Sequence, residues 1–267
     1  MAYALITGAS KGIGKSMAQS LAQRKFDLLL VARSQPLLQE LAGELSATYG
    51  VRAHYLALDL AKPSAVEDLM NWVETQHYEV SVLINNAGYG LWGNFWARES
   101  AEINLMLQLN MQTMVNLTYR MIPILRRQPK SHILNVGSMA GYQAMPTLSL
   151  YAASKAFVNT FTRGLSWELR GSPVQVTLLA PGSVRTNFIK RSGMEHLETA
   201  NHKFAMDPGP LAEEAIKAML KGKREVMPGL SNRIYVQLLR LLPKSVIEKS
   251  ILSIYRKKET PEPKPHG

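Results

Sequence analysis

The sequence contains no cysteine among its 267 residues. This excludes a disulfide framework, a zinc–thiolate centre, an iron–sulfur cluster and a thiol nucleophile, and no metal site is predicted. The apolar runs are shorter than the roughly 18 residues that a membrane-spanning helix needs. The sequence also lacks the basic N-terminal region followed by an apolar segment that is typical of a signal peptide. It starts directly with the strand-like segment Ala2-Tyr3-Ala4-Leu5-Ile6. We therefore expect no secretory signal and a cytoplasmic location.

Positive charge is concentrated towards the end of the chain. The formal net charge is +11, and residues 221–267 hold 11 Lys and Arg against 4 Asp and Glu. This distribution suggests an anionic partner, although a charge run is more often a solvated surface. Nucleic acid is not expected as a partner, because the basic segment offers only Tyr235 and Tyr255 as aromatic residues.

The same segment carries apolar residues at helical spacing on both sides of Pro243, which predicts two short helices rather than one long helix. The two stripes consist of Ile234, Leu238, Leu241 and Leu242, and of Ile247, Ile251, Ile254 and Tyr255. The tail from about Arg233 to Lys258 is expected to close the substrate end of the site or to contact a membrane surface. Packing of its stripes on the body or on a second subunit is favoured over the membrane contact. Residues 259–267 contain three prolines and are expected to be a disordered tail.

Short aliphatic runs alternate with helical patterns along most of the chain. The predicted strands are Tyr3–Ile6, Asp27–Ala32, Ala53–Leu58, Val80–Ile84, His132–Gly137, Gln175–Leu179 and Glu225–Met227. Continuous apolar strands between helices predict an α/β fold with a doubly wound, seven-stranded parallel sheet and helices on both faces. We predict a catalytic domain over residues 1–222, and a basic C-terminal helical extension over residues 223–258 that includes the last strand.

A glycine-rich turn follows the first strand and leads directly into a helix. Its sequence is Thr7-Gly8-Ala9-Ser10-Lys11-Gly12-Ile13-Gly14. Glycines allow a tight turn and a close approach of the backbone to a pyrophosphate, and the helix N-terminus offers free N–H groups. Such a turn is a weak signal alone, but its place between the first strand and the first helix strengthens it. A dinucleotide site is predicted here.

The residues at the end of the second strand indicate which nucleotide is preferred. A carboxylate at this point binds the ribose hydroxyls of NAD, whereas a cation accommodates the 2′-phosphate of NADP. This chain has Ala32 in that place, with Arg33 next to it and Lys11 in the glycine-rich turn. The two cations could be ordinary surface residues, but the missing carboxylate favours NADP(H) over NAD(H).

Three polar residues form a candidate catalytic set. Tyr151 and Lys155 are four residues apart and share one face of a helix, and Ser138 follows a predicted strand at its carboxyl end. Tyrosine has a pKa near 10 and is a poor base at neutral pH. We expect the Lys155 ammonium to lower the pKa of Tyr151, which makes the tyrosine a usable general acid and base.

These motifs together resemble those of the short-chain dehydrogenase/reductase family, and the resemblance covers nearly all of residues 2–190. Further matching motifs are Asp59-Leu60, Asn85-Asn86-Ala87-Gly88, Asn110 and Pro181-Gly182-x-Val184-x-Thr186. The resemblance implies a Rossmann fold and a homodimer or homotetramer. A softer similarity, from Tyr89-Gly90-Leu91-Trp92-Gly93 and Val226-Met227-Pro228-Gly229, is to the DltE-like branch related to 3-ketoacyl reductases.

The resemblance also implies roles for individual residues. Ser138, Tyr151, Lys155 and Asn110 would be catalytic, with Asn110 holding a water that continues a proton relay from Lys155. The implied nucleotide-binding residues are Gly8, Ser10, Lys11, Gly12, Ile13, Gly14, Arg33, Asp59, Leu60, Asn86, Ala87, Gly88, Tyr151, Lys155, Pro181, Gly182, Val184 and Thr186.

The substrate side is predicted to be apolar and rich in methionine. The expected lining residues are Tyr89, Trp92, Phe95, Trp96, Met139, Ala140, Met145, Leu148, Phe188, Met194 and Phe204. The alternative is that several of them, above all the tryptophans, are ordinary core or subunit contacts. The leading hypothesis is an NADPH-dependent reductase of a ketone or aldehyde. The alternatives are an NAD-linked alcohol dehydrogenase and a non-catalytic NADP sensor.

Overall fold

The computed structural model describes residues 2–186, 188, 192–193, 205–239 and 241–256. The predicted disordered tail, Met194 and Phe204 lie outside these residues. The strands are β1 (Tyr3–Thr7), β2 (Asp27–Ala32), β3 (Ala53–Ala57), β4 (Val80–Asn85), β5 (Ser131–Val136), β6 (Val174–Leu179) and β7 (Glu225–Val226). The α-helices are α1 (Gly12–Gln23), α2 (Gln35–Tyr49), α3 (Ala65–Thr75), α4 (Ser100–Leu107), α5 (Met114–Leu125), α6 (Ser149–Glu168), α7 (Pro208–Leu220), α8 (Leu230–Leu239) and α9 (Lys244–Arg256).

The seven strands form one parallel sheet in the order β3-β2-β1-β4-β5-β6-β7. The predicted doubly wound fold is therefore confirmed, and each predicted strand matches an observed one to within one residue at either end. The direction of winding reverses between β1 and β4. In open parallel sheets a ligand binds in the crevice at the carboxyl ends of the strands at such a reversal.

Both faces of the sheet are covered, which explains why the strands are continuously apolar. Successive side chains of a strand point to opposite faces. Ile6 accordingly packs with α1, α2 and α7, whereas its neighbour Leu5 packs with α3, α5 and α6. Both side chains are fully buried.

A chain of buried polar side chains holds α5 and α6 against the centre of the sheet. The Asn85 amide donates to Thr118 Oγ1 and to Asn135 Oδ1, each over 2.9 Å. Asn135 in turn donates to Thr162 Oγ1 over 3.0 Å. All four residues are buried, and their hydrogen bonds fix two helices relative to β4 and β5.

The C-terminal extension forms one helix before Pro243 and one helix after it, as the spacing of apolar residues predicts. α8 packs through Val236 and Leu239 on Leu178 and Met227, at the β6–β7 edge of the sheet. Ile247 and Ile251 of α9 are also buried, but the stripe that precedes Pro243 is exposed. Among the residues described, no helix is long and apolar enough to span a membrane.

We predict that His132 makes the stability of the protein sensitive to mild acid. Burial in β5, with Lys130 nearby, lowers the pKa of His132 from 6.5 to about 4. Below about pH 6.5 His132 becomes protonated in the unfolded chain but stays neutral in the folded chain. The free energy of unfolding at about pH 5 is therefore lower by roughly 2 kcal/mol than at neutral pH. Urea unfolding at neutral and mildly acid pH measures this effect. His132→Val should lose this component of the pH dependence, and an unchanged pH dependence would contradict the assignment.

Candidate active site

A cavity of about 1060 Å³ opens at the carboxyl ends of the strands, at the reversal of winding. The turns that follow the first six strands line it, together with α8. Its size suits a dinucleotide with a small substrate beside it.

The glycine-rich turn between β1 and α1 has the close packing that its sequence predicts. Gly8 and Gly12 have φ values of +66° and +55°, which side chains rarely adopt. A Cβ at Gly14 would collide with the Gly8 carbonyl oxygen, so α1 can approach the turn only with glycine at this position. The turn therefore brings bare backbone to the cavity wall.

The turn is held from below by the loop that follows β4. The Asn86 amide donates to the carbonyl oxygens of Thr7 and Gly8 over 2.9 and 3.2 Å. The Thr7 hydroxyl accepts from the backbone N–H groups of Asn86 and Ala87 over 3.0 and 3.1 Å. Two loops distant in the sequence thus form one rigid wall.

The end of the cavity near β2 is basic. Arg33 and Lys11 are exposed and line the cavity, together with Ala32, the last residue of β2. Asp59 lines the same region and accepts from the Ala61 N–H over 3.1 Å. A phosphate group placed here would meet two cations.

Ser138, Tyr151 and Lys155 meet at the other end of the cavity, where all three are at least nine-tenths buried. Ser138 forms a side-chain hydrogen bond with Tyr151, and its Oγ also accepts from the Ala140 N–H over 3.0 Å. The Lys155 ammonium donates to the Val136 carbonyl over 2.8 Å and lies 5.9 Å from the centroid of the Tyr151 ring.

The pKa of Tyr151 is not lowered as we expected. Burial raises it from 10 to about 12, and the hydrogen bond from Ser138 opposes this rise. Burial also lowers the pKa of Lys155 to about 8. Both shifts follow from the low polarity around the charged forms. At neutral pH Tyr151 is a protonated phenol, which is the form that donates a proton.

Asn110 lies beside the candidate catalytic residues rather than in the cavity wall. It belongs to a π-helical turn, Gln108–Thr113, between α4 and α5. Its amide donates to the Tyr89 carbonyl over 2.9 Å and to Ser154 Oγ over 3.2 Å, while its Oδ1 accepts from the Tyr89 N–H over 3.1 Å. Ser154 Oγ donates to the Tyr151 carbonyl over 2.8 Å, so Asn110 is linked to the backbone of Tyr151.

Most of the residues predicted from the sequence line the cavity. Gly14 and Asn110 do not, because each supports a lining residue from behind. Of the expected apolar lining, the structure places Met139, Ala140, Met145, Leu148 and Phe188 in the wall.

The expectation for the aromatic residues after β4 is wrong. Tyr89 and Trp92 do not line the cavity but pack in a cluster that contains the wall residues Leu148 and Tyr151. Phe95 and Trp96 are 57% and 78% exposed. The position of these aromatic residues directly after β4 indicates that they lie near the cavity, but it does not show whether their side chains face it.

Sequence reasoning missed Asn159, which holds Ser138 in place. Asn159 Nδ2 donates to the Ser138 carbonyl over 3.0 Å, and its Oδ1 accepts from the Ser138 N–H over 3.3 Å. The side chain is buried between two glycines, and a Cβ at Gly141 would lie 2.6 Å from Nδ2. Its position two helical turns after Tyr151, on the same face of α6, is the signal that could have identified it.

The sequence predicts that the C-terminal tail closes the substrate end, but it does not identify the residues of α8 that line the cavity. Asn232 and Tyr235 line the cavity. Asn232 is so close to the loop after β6 that a Cβ at Gly182 would lie 2.9 Å from its side chain, and the Tyr235 hydroxyl donates to Gln143 Oε1 over 3.2 Å.

Comparison with known proteins identifies the family. A sequence model described as short chain dehydrogenase matches residues 2–196, so the chain belongs to the short-chain dehydrogenase family. It is accordingly an oxidoreductase that acts between CH–OH and C=O groups.

The chain is 34% identical over 219 residues to sulfoacetaldehyde reductase 2 of Chromohalobacter salexigens, covering 81% of this chain and 85% of that protein. It is also 34% identical over 195 residues to a very-long-chain 3-oxoacyl-CoA reductase of Anas platyrhynchos, covering 72% of this chain but only 62% of that protein. A solved short-chain dehydrogenase from Sphingobium yanoikuyae, in complex with NADPH, superposes with a TM-score of 0.80 at 26% identity and full coverage of both chains. These similarities support a pyridine-nucleotide cofactor.

We predict that Asn159→Leu, which keeps the volume but removes both hydrogen bonds to Ser138, lowers kcat by roughly tenfold to a hundredfold because Ser138 is no longer oriented. The KM for the nucleotide should change little. Steady-state kinetics with a ketone or aldehyde measures both constants.

Thr177→Val is the matched control for this variant, because it removes the hydrogen bond from the buried Thr177 hydroxyl to the Lys223 carbonyl, which does not touch Ser138. It should lower stability and leave kcat nearly unchanged. If both variants affect only stability, Asn159 is structural and the assignment fails.

Proposed function

We propose that this protein is an NADPH-dependent reductase that converts an apolar ketone or aldehyde to the corresponding alcohol. The observation that carries the proposal is the meeting of Ser138, Tyr151 and Lys155 at the buried end of a cavity whose other end is basic. The bare glycine backbone and the two cations fit the phosphates of the nucleotide, and the protonated tyrosine fits a proton donor.

When bound, the dihydronicotinamide supplies the hydride that reaches the carbonyl carbon. Tyr151 gives its hydroxyl proton to the carbonyl oxygen, so that an alcohol forms and a phenolate remains. The Ser138 Oγ accepts a hydrogen bond from the Ala140 N–H, which leaves the hydroxyl hydrogen to donate. By donating this hydrogen to the carbonyl oxygen of the substrate, Ser138 orients that oxygen. Lys155 stabilises the phenolate and, with a pKa near 8, can return a proton to it at neutral pH.

The remaining residues would position the nucleotide. In this proposal the first turn and the loop after β4 hold its phosphates and adenosine ribose, and Asp59 with Leu60 binds the adenine. The β6 loop would hold the nicotinamide through Pro181, Gly182, Val184 and Thr186, which all line the cavity. Asn110 would support Tyr151 through Ser154 and supply the proton relay.

The character of the wall favours an apolar substrate over a small anionic one. The relative from C. salexigens is named for sulfoacetaldehyde and the avian one for very-long-chain 3-oxoacyl-CoA. A sulfonate needs a cation at the substrate end. Among the described lining residues Lys155 is the only cation at that end, where the neighbouring wall is formed by Met139, Met145, Leu148 and Phe188. This favours an aliphatic or polycyclic carbonyl compound.

We further propose that residues 1–222 act as the catalytic domain and that residues 223–258 complete its wall, in a cytoplasmic homodimer or homotetramer. Large apolar side chains on the helices around Asn110 and Tyr151 support assembly. Leu105, Phe157 and Trp167 are exposed there by 48%, 38% and 56%.

We predict that Tyr151→Phe abolishes reduction while sparing nucleotide binding. The ring remains but the proton donor is lost, so kcat should fall by roughly a thousandfold or more. NADPH affinity, measured by fluorescence titration, should stay within a few-fold. Near-normal turnover by this variant would exclude the proposed role, and a wild-type protein that binds NADPH but reduces no carbonyl compound in a broad panel would favour the sensor alternative.

We also predict a strong preference for NADPH over NADH that depends on Arg33. Arg33→Asp removes a cation and adds a carboxylate that repels the 2′-phosphate and accepts hydrogen bonds from ribose hydroxyls. The ratio of kcat/KM for the two nucleotides should narrow or reverse. Arg126→Asp, with the same change of charge at an exposed site outside the cavity, controls for net charge. Equal use of both nucleotides by the wild type would favour the NAD-linked alternative.

A further inference from the structure

The C-terminal extension exposes a row of large apolar side chains, which we call the C-terminal ridge. Its members are Leu230 (70% exposed), Ile234 (51%), Leu238 (50%), Leu241 (79%), Leu242 (50%) and Val246 (49%). Exposed apolar residues are common singly, but a contiguous group on one segment indicates a binding surface.

The ridge is not the core-facing side of α8. That side is formed by Val236 and Leu239, which pack on the body. Leu230, Ile234 and Leu238 are spaced by four residues and therefore form a separate stripe along the helix. The stripe continues into Leu241 and Leu242 in the turn before α9. The stripe before Pro243 therefore does not pack on the body of its own chain, whereas Ile247 and Ile251 of the second stripe are buried.

The segment that carries the ridge is strongly basic. Residues 230–258 hold seven Lys and Arg and a single acidic residue, Glu248. Lys244 and Lys249 are exposed on α9 close to Val246 in the sequence. Apolar side chains bordered by cations suit the boundary between the headgroups and the acyl chains of an anionic membrane.

The ridge also lies beside the catalytic cavity. Tyr235, which lines the cavity, follows Ile234 directly, and Leu238 lies one helical turn beyond it. A surface that contacts the ridge is therefore close to the cavity wall.

We propose that the C-terminal ridge and its flanking lysines bind the surface of an anionic lipid membrane. A second copy of the chain fits less well, because a two-fold contact would place the basic segments against each other. An anionic leaflet instead accepts the apolar side chains and neutralises the cations. If the proposed function also holds, an apolar carbonyl substrate can reach the cavity from the lipid phase.

The experiment is co-sedimentation of the full-length protein with vesicles of phosphatidylcholine alone and of phosphatidylcholine mixed with phosphatidylglycerol, at low and high salt. We expect binding to the mixed vesicles only, weakened by salt. Lys244→Gln with Lys249→Gln should lower the affinity by roughly twenty-five-fold, since each cation near the leaflet contributes about fivefold.

The apolar part is tested with Leu238→Asn and Leu241→Asn together, which remove apolar character without adding charge. This double variant should lose at least about tenfold in affinity. Leu238→Met with Leu241→Met is the matched control and should bind like the wild type.

Three results would overturn the proposal. The first is no sedimentation with anionic vesicles at low salt, and the second is equal binding by the Asn and Met double variants. The third is a change from oligomer to monomer in the Asn double variant, measured by light scattering, because it would identify the ridge as a subunit contact. Reduction of a panel of ketones and aldehydes by the protein in solution is measured in parallel. A protein that binds vesicles but reduces no carbonyl compound contradicts the proposed function alone, whereas an active protein that ignores vesicles contradicts the ridge proposal alone.

Discussion

The site depends on the buried hydrogen bonds that run from Thr118 through Asn85 and Asn135 to Thr162. These bonds hold α5 and α6 against β4 and β5, and the two helices place Asn110 and Tyr151 beside each other. A buried amide left without a partner costs roughly 1–3 kcal/mol, so a helix that slides along the sheet breaks several such bonds at once. Apolar packing alone would allow neighbouring arrangements of similar energy, whereas this polar chain selects one.

The same burial that fixes the geometry sets the protonation states. Tyr151 and Lys155 are nearly inaccessible, and both are shifted towards their neutral forms. A neutral phenol is ready to donate a proton, and a lysine with a pKa near 8 is close enough to neutrality to exchange one. The Val136 carbonyl and the Ser138 hydroxyl supply the polar contacts that let these two groups remain buried. Packing and acid–base chemistry are therefore a single property of this end of the sheet.

The sequence predicts a large part of the molecule because the relevant signals are local. A parallel strand covered on both faces is a continuous apolar run. The positions of the strands therefore follow, to within one residue, from the pattern of apolar residues along the sequence. The Gly8–Gly14 turn and the spacing of Tyr151 and Lys155 are likewise readable in a few residues. The pKa of Tyr151, the packing of Trp92 and the clamp of Asn159 on Ser138 are not, because each depends on residues from other elements. The part that α8 plays in the wall needs the placement of an extension some 80 residues after Tyr151.

This extension connects two surfaces through one short helix. On one side, Asn232 and Tyr235 contact the loops that surround the cavity, and on the other side Ile234 and Leu238 face outward. A change in the position of α8 therefore alters the cavity wall and the ridge together. Binding free energies at two coupled sites are reciprocal, so a cavity ligand that strengthens binding at the ridge must itself bind more tightly, by the same factor, when the ridge is occupied. The helix that contributes Asn232 and Tyr235 to the cavity wall is thus the element through which the two sites can influence each other.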